Sequence, residues 1–159
     1  MEEGKYLKAD SDEFGTPEGL FEDLSDEFGP FDLDAAATFE TSKCVRFITK
    51  EDDALKVPWT VGDRKRTRVF LNPPYSKKSG PIAAWVKKAH AESLDGRTVV
   101  CVLPADTTTG WWHETCLKHG EVRELKGRQQ FVGGKSGARF GTAIIIFQPP
   151  RKYSFVRVS

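Results

Sequence analysis

The sequence predicts an α/β domain with a mostly parallel central sheet flanked by helices. Three observations support this. Strand-like apolar runs alternate with amphipathic helical segments along the chain. The run "TVVCVLPA" (residues 98–105) is continuously apolar, as a strand covered on both faces is. A second such run, "TAIIIF" (residues 142–147), closes the pattern.

The elements follow in order. Residues 1–13 are polar and acidic without periodicity and read as a flexible tail. Residues 14–150 form one domain, and residues 151–159 are a second tail. Thr16 is a helix N-cap and Pro17 suits the first helical position. Leu20, Phe21, Leu24 and Phe28 then recur at helical spacing until Gly29-Pro30 stops the helix. "FDLDAAA" (residues 31–37) reads as a short strand and turn, and "CVRFIT" (residues 44–49) as a second strand. "VFL" (residues 69–71) is a third. Ile82, Trp85, Val86 and Ala89 make the apolar face of the next helix. A short helix follows within "GWWHETCLKHG", with Gly120 at its carboxyl side, and "EVRELKG" is a strand. "TAIIIF" is open to insertion in either direction.

Composition narrows the function classes. The 159 residues carry a formal net charge of +1, so any nucleic-acid footprint must be local. The three cysteines, Cys44, Cys101 and Cys116, are widely spaced and odd in number, which argues against a disulfide framework. No apolar run approaches the roughly 20 residues needed to cross a bilayer. The charged start "MEEGKYLKAD" is unlike a signal peptide. The expected setting is cytoplasmic.

The most informative stretch is "VFLNPPYSKK" (residues 69–78). Pro73 and Pro74 fix their φ angles and bring no N–H, and Asn72 is held extended by the proline after it. The turn offers carbonyl oxygens, the Asn72 amide oxygen and the flat face of Tyr75. Such a turn suits a planar amine on an sp² carbon. Two acceptors, the Asn72 side chain and the Pro73 carbonyl, can take its hydrogens as positive charge develops on nitrogen. Tyr75 would stack on the ring. Pro-Pro alone would more often be a plain strand-ending turn. In an α/β sheet, ligands bind beyond the carboxyl ends of the strands, which puts Asp34 and Asn72 in one crevice. A turn carboxylate such as Asp34 or Asp53 is otherwise usually a cap or a solvated residue.

On "NPPY" and on the ordered segments "FGTPEGLFEDL", "FDLDAAATFETSKC", "RFITKEDDAL", "TVVCVLPADTTTGWWHE" and "LKGRQQFVGG", the chain resembles the small phage-type DNA N-6-adenine methyltransferase family. That resemblance implies a Rossmann-like fold and S-adenosylmethionine as cofactor. It implies methyl transfer to the exocyclic amine of a flipped adenine in double-stranded DNA. By position it implies a catalytic Asn72-Pro73-Pro74-Tyr75. It places Asp34, Ala35, Ala36 and Asn72 at the cofactor, Asp53 near the adenosine, and Thr16 and Pro17 at the methionine end. One departure is that the first motif is alanine-rich where most such enzymes have glycine. Ala35 and Ala36 can serve only where φ stays negative.

Phosphate contacts are expected from Arg64, Lys65 and Arg66, from Lys77 and Lys78, and from Arg128, Lys135 and Arg139. Solvated basic surface is the other reading of each. "GGKSG" (residues 133–137) fails as a phosphate loop because its first glycine would fall on Gln129. His113, Cys116 and His119 share one short helix but lack the further ligands a metal site needs, so no metal is expected. Two rival functions remain. The same motif suits the amide of a protein glutamine, and the alanine-rich motif suits a catalytically silent DNA-binding relative.

Overall fold

The computed structural model describes residues 16–63, 66–75, 80–126 and 141–151. Helix α1 (Glu18–Phe28) precedes strand β1 (Leu33–Asp34) and strand β2 (Arg68–Leu71). Helix α2 (Ile82–Leu94), strand β3 (Thr98–Pro104), a π-helical turn (Trp112–Cys116) and the short helix α3 (Leu117–His119) come next. Strands β4 (Glu121–Glu124) and β5 (Thr142–Phe147) complete one sheet in the order β1-β2-β3-β5-β4. The first three strands run parallel, and β5 inserts antiparallel between β3 and β4. Among the described residues no helix is long and apolar enough to cross a membrane.

Alternation along the central strands feeds two cores. Val69, Leu71, Val99, Cys101, Leu103, Ile145 and Phe147 face α2, packing with Trp85, Val86, Ala89, Trp59 and Trp112. Phe70, Val100, Val102, Ile144 and Ile146 face the other way, toward Leu24 of α1 and the flanking Leu20, Phe21 and Phe28. The continuous apolar runs of β3 and β5 are therefore covered on both faces, as their composition predicts. Phe21, Phe31 and Phe70 form a triangle with ring centroids 5.1 to 5.8 Å apart, which seats α1 on β2.

Several local expectations are corrected. Thr16 does not cap α1. The N-cap is Pro17, without a side-chain bond, because the Thr16 hydroxyl accepts a hydrogen bond from Asn72 instead. Residues 44–49 do not form a full strand; they give a single parallel bridge, Phe47 opposite Asp34. Two backbone bonds, Asp34 N–H to Arg46 (3.0 Å) and Ile48 N–H to Asp34 (2.9 Å), hold this segment beside β1. The ladder stops there because β1 has only two residues and Ser42 folds the chain back on Cys44. The helix expected after residue 110 begins as a π turn. At Gly120 a Cβ would stand 2.8 Å from Ile145 and 3.1 Å from the Cys116 carbonyl, so only glycine fits. The tails, Arg151 aside, and the loop of residues 127–140 lie outside the described residues.

Between residue 48 and β2 the chain is held by a buried ionic cluster. Glu92 of α2 accepts the backbone N–H of Trp59 at 3.2 Å, Lys88 Nζ at 2.6 Å and Arg97 at 2.9 Å. Trp59 itself is fully buried and donates its ring N–H to Ala54. Removing Glu92 would leave the buried Arg97 guanidinium only its contact with the exposed Asp95, beside an unpaired Trp59 amide. Glu92→Ala should therefore cost about 3 kcal/mol in urea unfolding. Glu92→Gln should cost less, because it keeps an acceptor for Trp59. A Glu92→Ala midpoint equal to wild type would contradict this account.

Candidate active site

The register of the sheet builds the crevice. Leu33 lies opposite Val69 and Asp34 opposite Phe70, so β1 and β2 end side by side. The chain leaving β1 turns outward to residues 46–48, while β2 leads the other way to β3. Where neighbouring strands send their chains in opposite directions, a cleft opens at their carboxyl ends. Asp34 and Asn72 stand on its two sides.

Asp34 is buried, 2% exposed. Its carboxylate accepts the backbone N–H of Ala36 at 3.3 Å and of Lys43 at 3.1 Å, which bends the chain sharply after β1. Burial pushes its carboxyl up to about 7, against the pull of the Lys43 and Ala36 amides and the Lys43 charge. Ala35 is fully buried and donates its N–H to Phe70. Among the described non-glycine residues only Asp53 has positive φ, so Ala35 and Ala36 meet the condition under which alanine replaces glycine.

Asn72 follows β2 directly and donates its side-chain Nδ2 to the Thr16 hydroxyl at 3.1 Å. Pro73 is buried, and Pro74 and Tyr75 are half-buried. The Tyr75 hydroxyl reaches the Val102 carbonyl on β3 at 3.4 Å, and burial raises it well above the usual phenol range. The Tyr75 ring therefore spans the carboxyl ends of β2 and β3. Pro17 begins α1 beside this group, and Glu18 pairs with Lys43 at 2.6 Å across the bend after Asp34. Three segments distant in sequence converge here, at residues 16–18, 34–43 and 72–75. No sequence signal could have paired Thr16 with Asn72, since 56 positions separate them.

Other predicted residues fall elsewhere. Asp53 sits in the turn after residues 46–48 with φ 53°, paired with Lys56 at 3.3 Å. Its neighbour Asp52 is occupied in holding Thr49, through bonds of 3.1 and 2.8 Å. Arg66 is exposed just before β2, at the end of the sheet opposite the crevice. Arg64, Lys65, Lys77, Lys78, Arg128, Lys135 and Arg139 lie outside the described residues. His113 bonds the Thr107 carbonyl, Cys116 is in the core, and His119 stacks on His90 at 4.0 Å. A concavity of about 410 Å³ runs along the open sheet edge, past Leu33, Phe47 and Val61. Its lining includes Arg46 and Ile48, which bond the backbone of Asp34, so the groove runs beside the end of β1.

The fold and site thus define an open α/β sheet whose first two parallel strands end side by side at a buried carboxyl and an Asn-Pro-Pro-Tyr turn. The chain belongs to the DNA N-6-adenine-methyltransferase (Dam) family, whose pattern matches residues 3–154. It is 30% identical over 141 residues to the DNA N-6-adenine-methyltransferase of Escherichia phage T1, covering 79% of this chain and 56% of that protein. The chain thus spans a little over half the length of that relative. It is 37% identical over 71 residues to an Escherichia coli (strain K12) protein whose provisional name is methyltransferase YfdM, covering 43% of this chain and 77% of that one. The crystal structure of Thermoplasma acidophilum 1320 aligns with a TM-score of 0.42 and 15% identity, over 86% of this chain and 84% of that one. That likeness is too loose to assign a fold.

Because Asp34 holds its proton more tightly in the folded chain than unfolded, its contribution to stability is full below about pH 4. It is lost as pH rises toward 7. Asp34→Asn should flatten this slope. Urea unfolding of wild type should lose on the order of a few kcal/mol relative to the variant across that window. Parallel profiles for the two proteins would exclude a raised Asp34.

Proposed function

We propose that the protein is a DNA adenine-N6 methyltransferase with a Rossmann-like domain, using S-adenosylmethionine. The observation that carries this reading is the position of Asn72-Pro73-Pro74-Tyr75. It leaves β2 at the switch point, beside the buried Asp34 at the end of β1.

The residues present fit the cofactor. A buried carboxyl whose ionisation is opposed by burial gains from a cationic partner, and S-adenosylmethionine carries an ammonium and a sulfonium. Ala35 and Ala36 leave room for close backbone approach. Asp34, Ala35, Ala36, Asn72, Thr16 and Pro17 would hold the cofactor, with Asp53 at the adenosine end. When bound, it supplies an electron-poor methyl group.

The work of the chain is on the amine. Adenine N6 is paired inside a duplex, so the base must be flipped out, which costs a few kcal/mol. Its lone pair is delocalised into the ring. The Asn72 Oδ1 and the Pro73 carbonyl each accept one N6 hydrogen and draw the lone pair onto nitrogen. These bonds strengthen as nitrogen becomes positive, so they favour the transition state over the ground state. The Tyr75 ring, anchored through its hydroxyl on Val102, offers a face for the base. No strong base is required, since the proton can leave after the methyl arrives. Lys77, Lys78, Arg128, Lys135 and Arg139 follow strand ends directed at the crevice and suit the phosphates. Arg66 precedes β2 and would contribute only if DNA reached the far end of the sheet, and Arg64 and Lys65 are its sequence neighbours. The reaction takes place in the cytoplasm, on double-stranded DNA, without a metal.

The test is transfer of labelled methyl from S-adenosylmethionine to duplex DNA, with the modified base identified after digestion. Label is expected in N6-methyladenine. Asn72→Ala should lower turnover about a hundredfold or more, as loss of a transition-state hydrogen bond does. Cofactor affinity should fall far less than turnover, and equal loss of both would refute the catalytic role given to Asn72. Label in protein instead of DNA would redirect the same chemistry to a glutamine amide. Failure to bind the cofactor would mark a silent relative.

A further inference from the structure

The Thr16 hydroxyl lies 3.1 Å from Nδ2 of Asn72, at the point where α1 meets the carboxyl end of β2. From this juxtaposition we infer that Thr16 is a positioning residue that anchors the Asn72 side-chain amide at the end of β2. The inference rests on the reading of Asn72 as an acceptor for the target amine, and it adds a role that a cofactor-binding segment does not have.

An amide has two ends of opposite hydrogen-bonding character, and rotation about its terminal torsion exchanges them within a broad two-fold profile. Only the Oδ1 end can accept a hydrogen from an amine. A flipped Asn72 would point N–H groups at the N–H groups of the substrate, and the catalytic turn would repel the atom it has to activate. Thr16 holds the Nδ2 end, which fixes the terminal torsion and leaves Oδ1 at the other end of the same planar group.

Thr16 is well placed for this role. It is 2% exposed, so water competes weakly for the bond. Its hydroxyl is not engaged as a helix cap. Pro17 stiffens the backbone immediately after it. Phe21, one turn into α1, packs edge-on against Phe70 with centroids 5.1 Å apart, and Phe70 is two residues before Asn72. Glu18 is tied to Lys43, whose backbone N–H holds Asp34. Both ends of the Thr16–Asn72 bond are thus fixed to the same pair of strands. A site residue held this way keeps its geometry without relying on the substrate to order it.

The experiment compares Thr16→Val and Thr16→Ser with wild type by kcat, S-adenosylmethionine affinity and melting temperature. Valine keeps the shape and removes the hydroxyl. Thr16→Val should lower kcat about tenfold, the scale of one hydrogen bond, and by more than it lowers cofactor affinity. Thr16→Ser should restore kcat to within about threefold. An unchanged kcat in Thr16→Val, or a loss confined to cofactor affinity, would overturn the inference. Should Thr16→Val fail to fold, Thr16→Ser decides: a tenfold loss of kcat at native melting temperature overturns it. Should wild type itself transfer no methyl to DNA, the proposed function fails separately. The lock is then judged by the ¹⁵N side-chain amide signals of Asn72. Slowed hydrogen exchange that is lost in Thr16→Val supports it, and signals identical in the two proteins overturn it.

Discussion

The parallel register of β1 against β2 is the constraint on which the rest of this protein depends. β1 has two residues, and Leu33 and Asp34 pair with Val69 and Phe70. A shift of one position would turn Leu33 out of the core and move Asp34 away from the crevice, because side chains alternate faces along a strand. The register also decides that the Asn-Pro-Pro-Tyr turn begins level with the bend after Asp34. Acidic and amide groups 38 positions apart in sequence thereby come to line one cleft.

So short a strand cannot hold itself, and its support comes from both faces of the sheet. On one side the Phe21–Phe31–Phe70 triangle presses α1 onto β2. On the other, Glu92 fastens the segment carrying Trp59, and Trp59 packs in the same core as Leu33 and Ile48. The antiparallel β5, buried along its whole length, closes the sheet beside β3 with a six-residue ladder. The site sits at the less regular end of the sheet, and the long buried strands lie beyond it. Rigidity is concentrated in β3 and β5, while polar groups gather where the backbone leaves its ladders and must find other partners.

Asp34 shows how the fold turns an ordinary acidic residue into a tuned one. Its two amide donors come from the bend that it creates itself, at Ala36 and Lys43. Burial outweighs them, and the carboxyl is held up to about 7. Asp52 and Asp53, near in sequence to each other, have gone to local uses in a turn. Three acidic residues of one composition class thus differ because only one was drawn into the interior.

By itself the sequence determined the α/β class, the helices of residues 18–28 and 82–94, the doubly covered strands β3 and β5, and the special turn at Asn72. Each of these is written in local periodicity, in proline stereochemistry or in continuous apolar runs, which act over a few residues. Tertiary structure decided that residues 44–49 bridge once and go no further, since a ladder is as long as its shorter partner. It decided that Gly120 is required by Ile145 packed against it, and that β5 runs antiparallel. It also took Thr16 from its expected place as a helix cap and gave its hydroxyl to Asn72. A hydroxyl takes the polar partner that burial brings within reach, and which partner that is depends on the folding of the chain between two positions 56 apart.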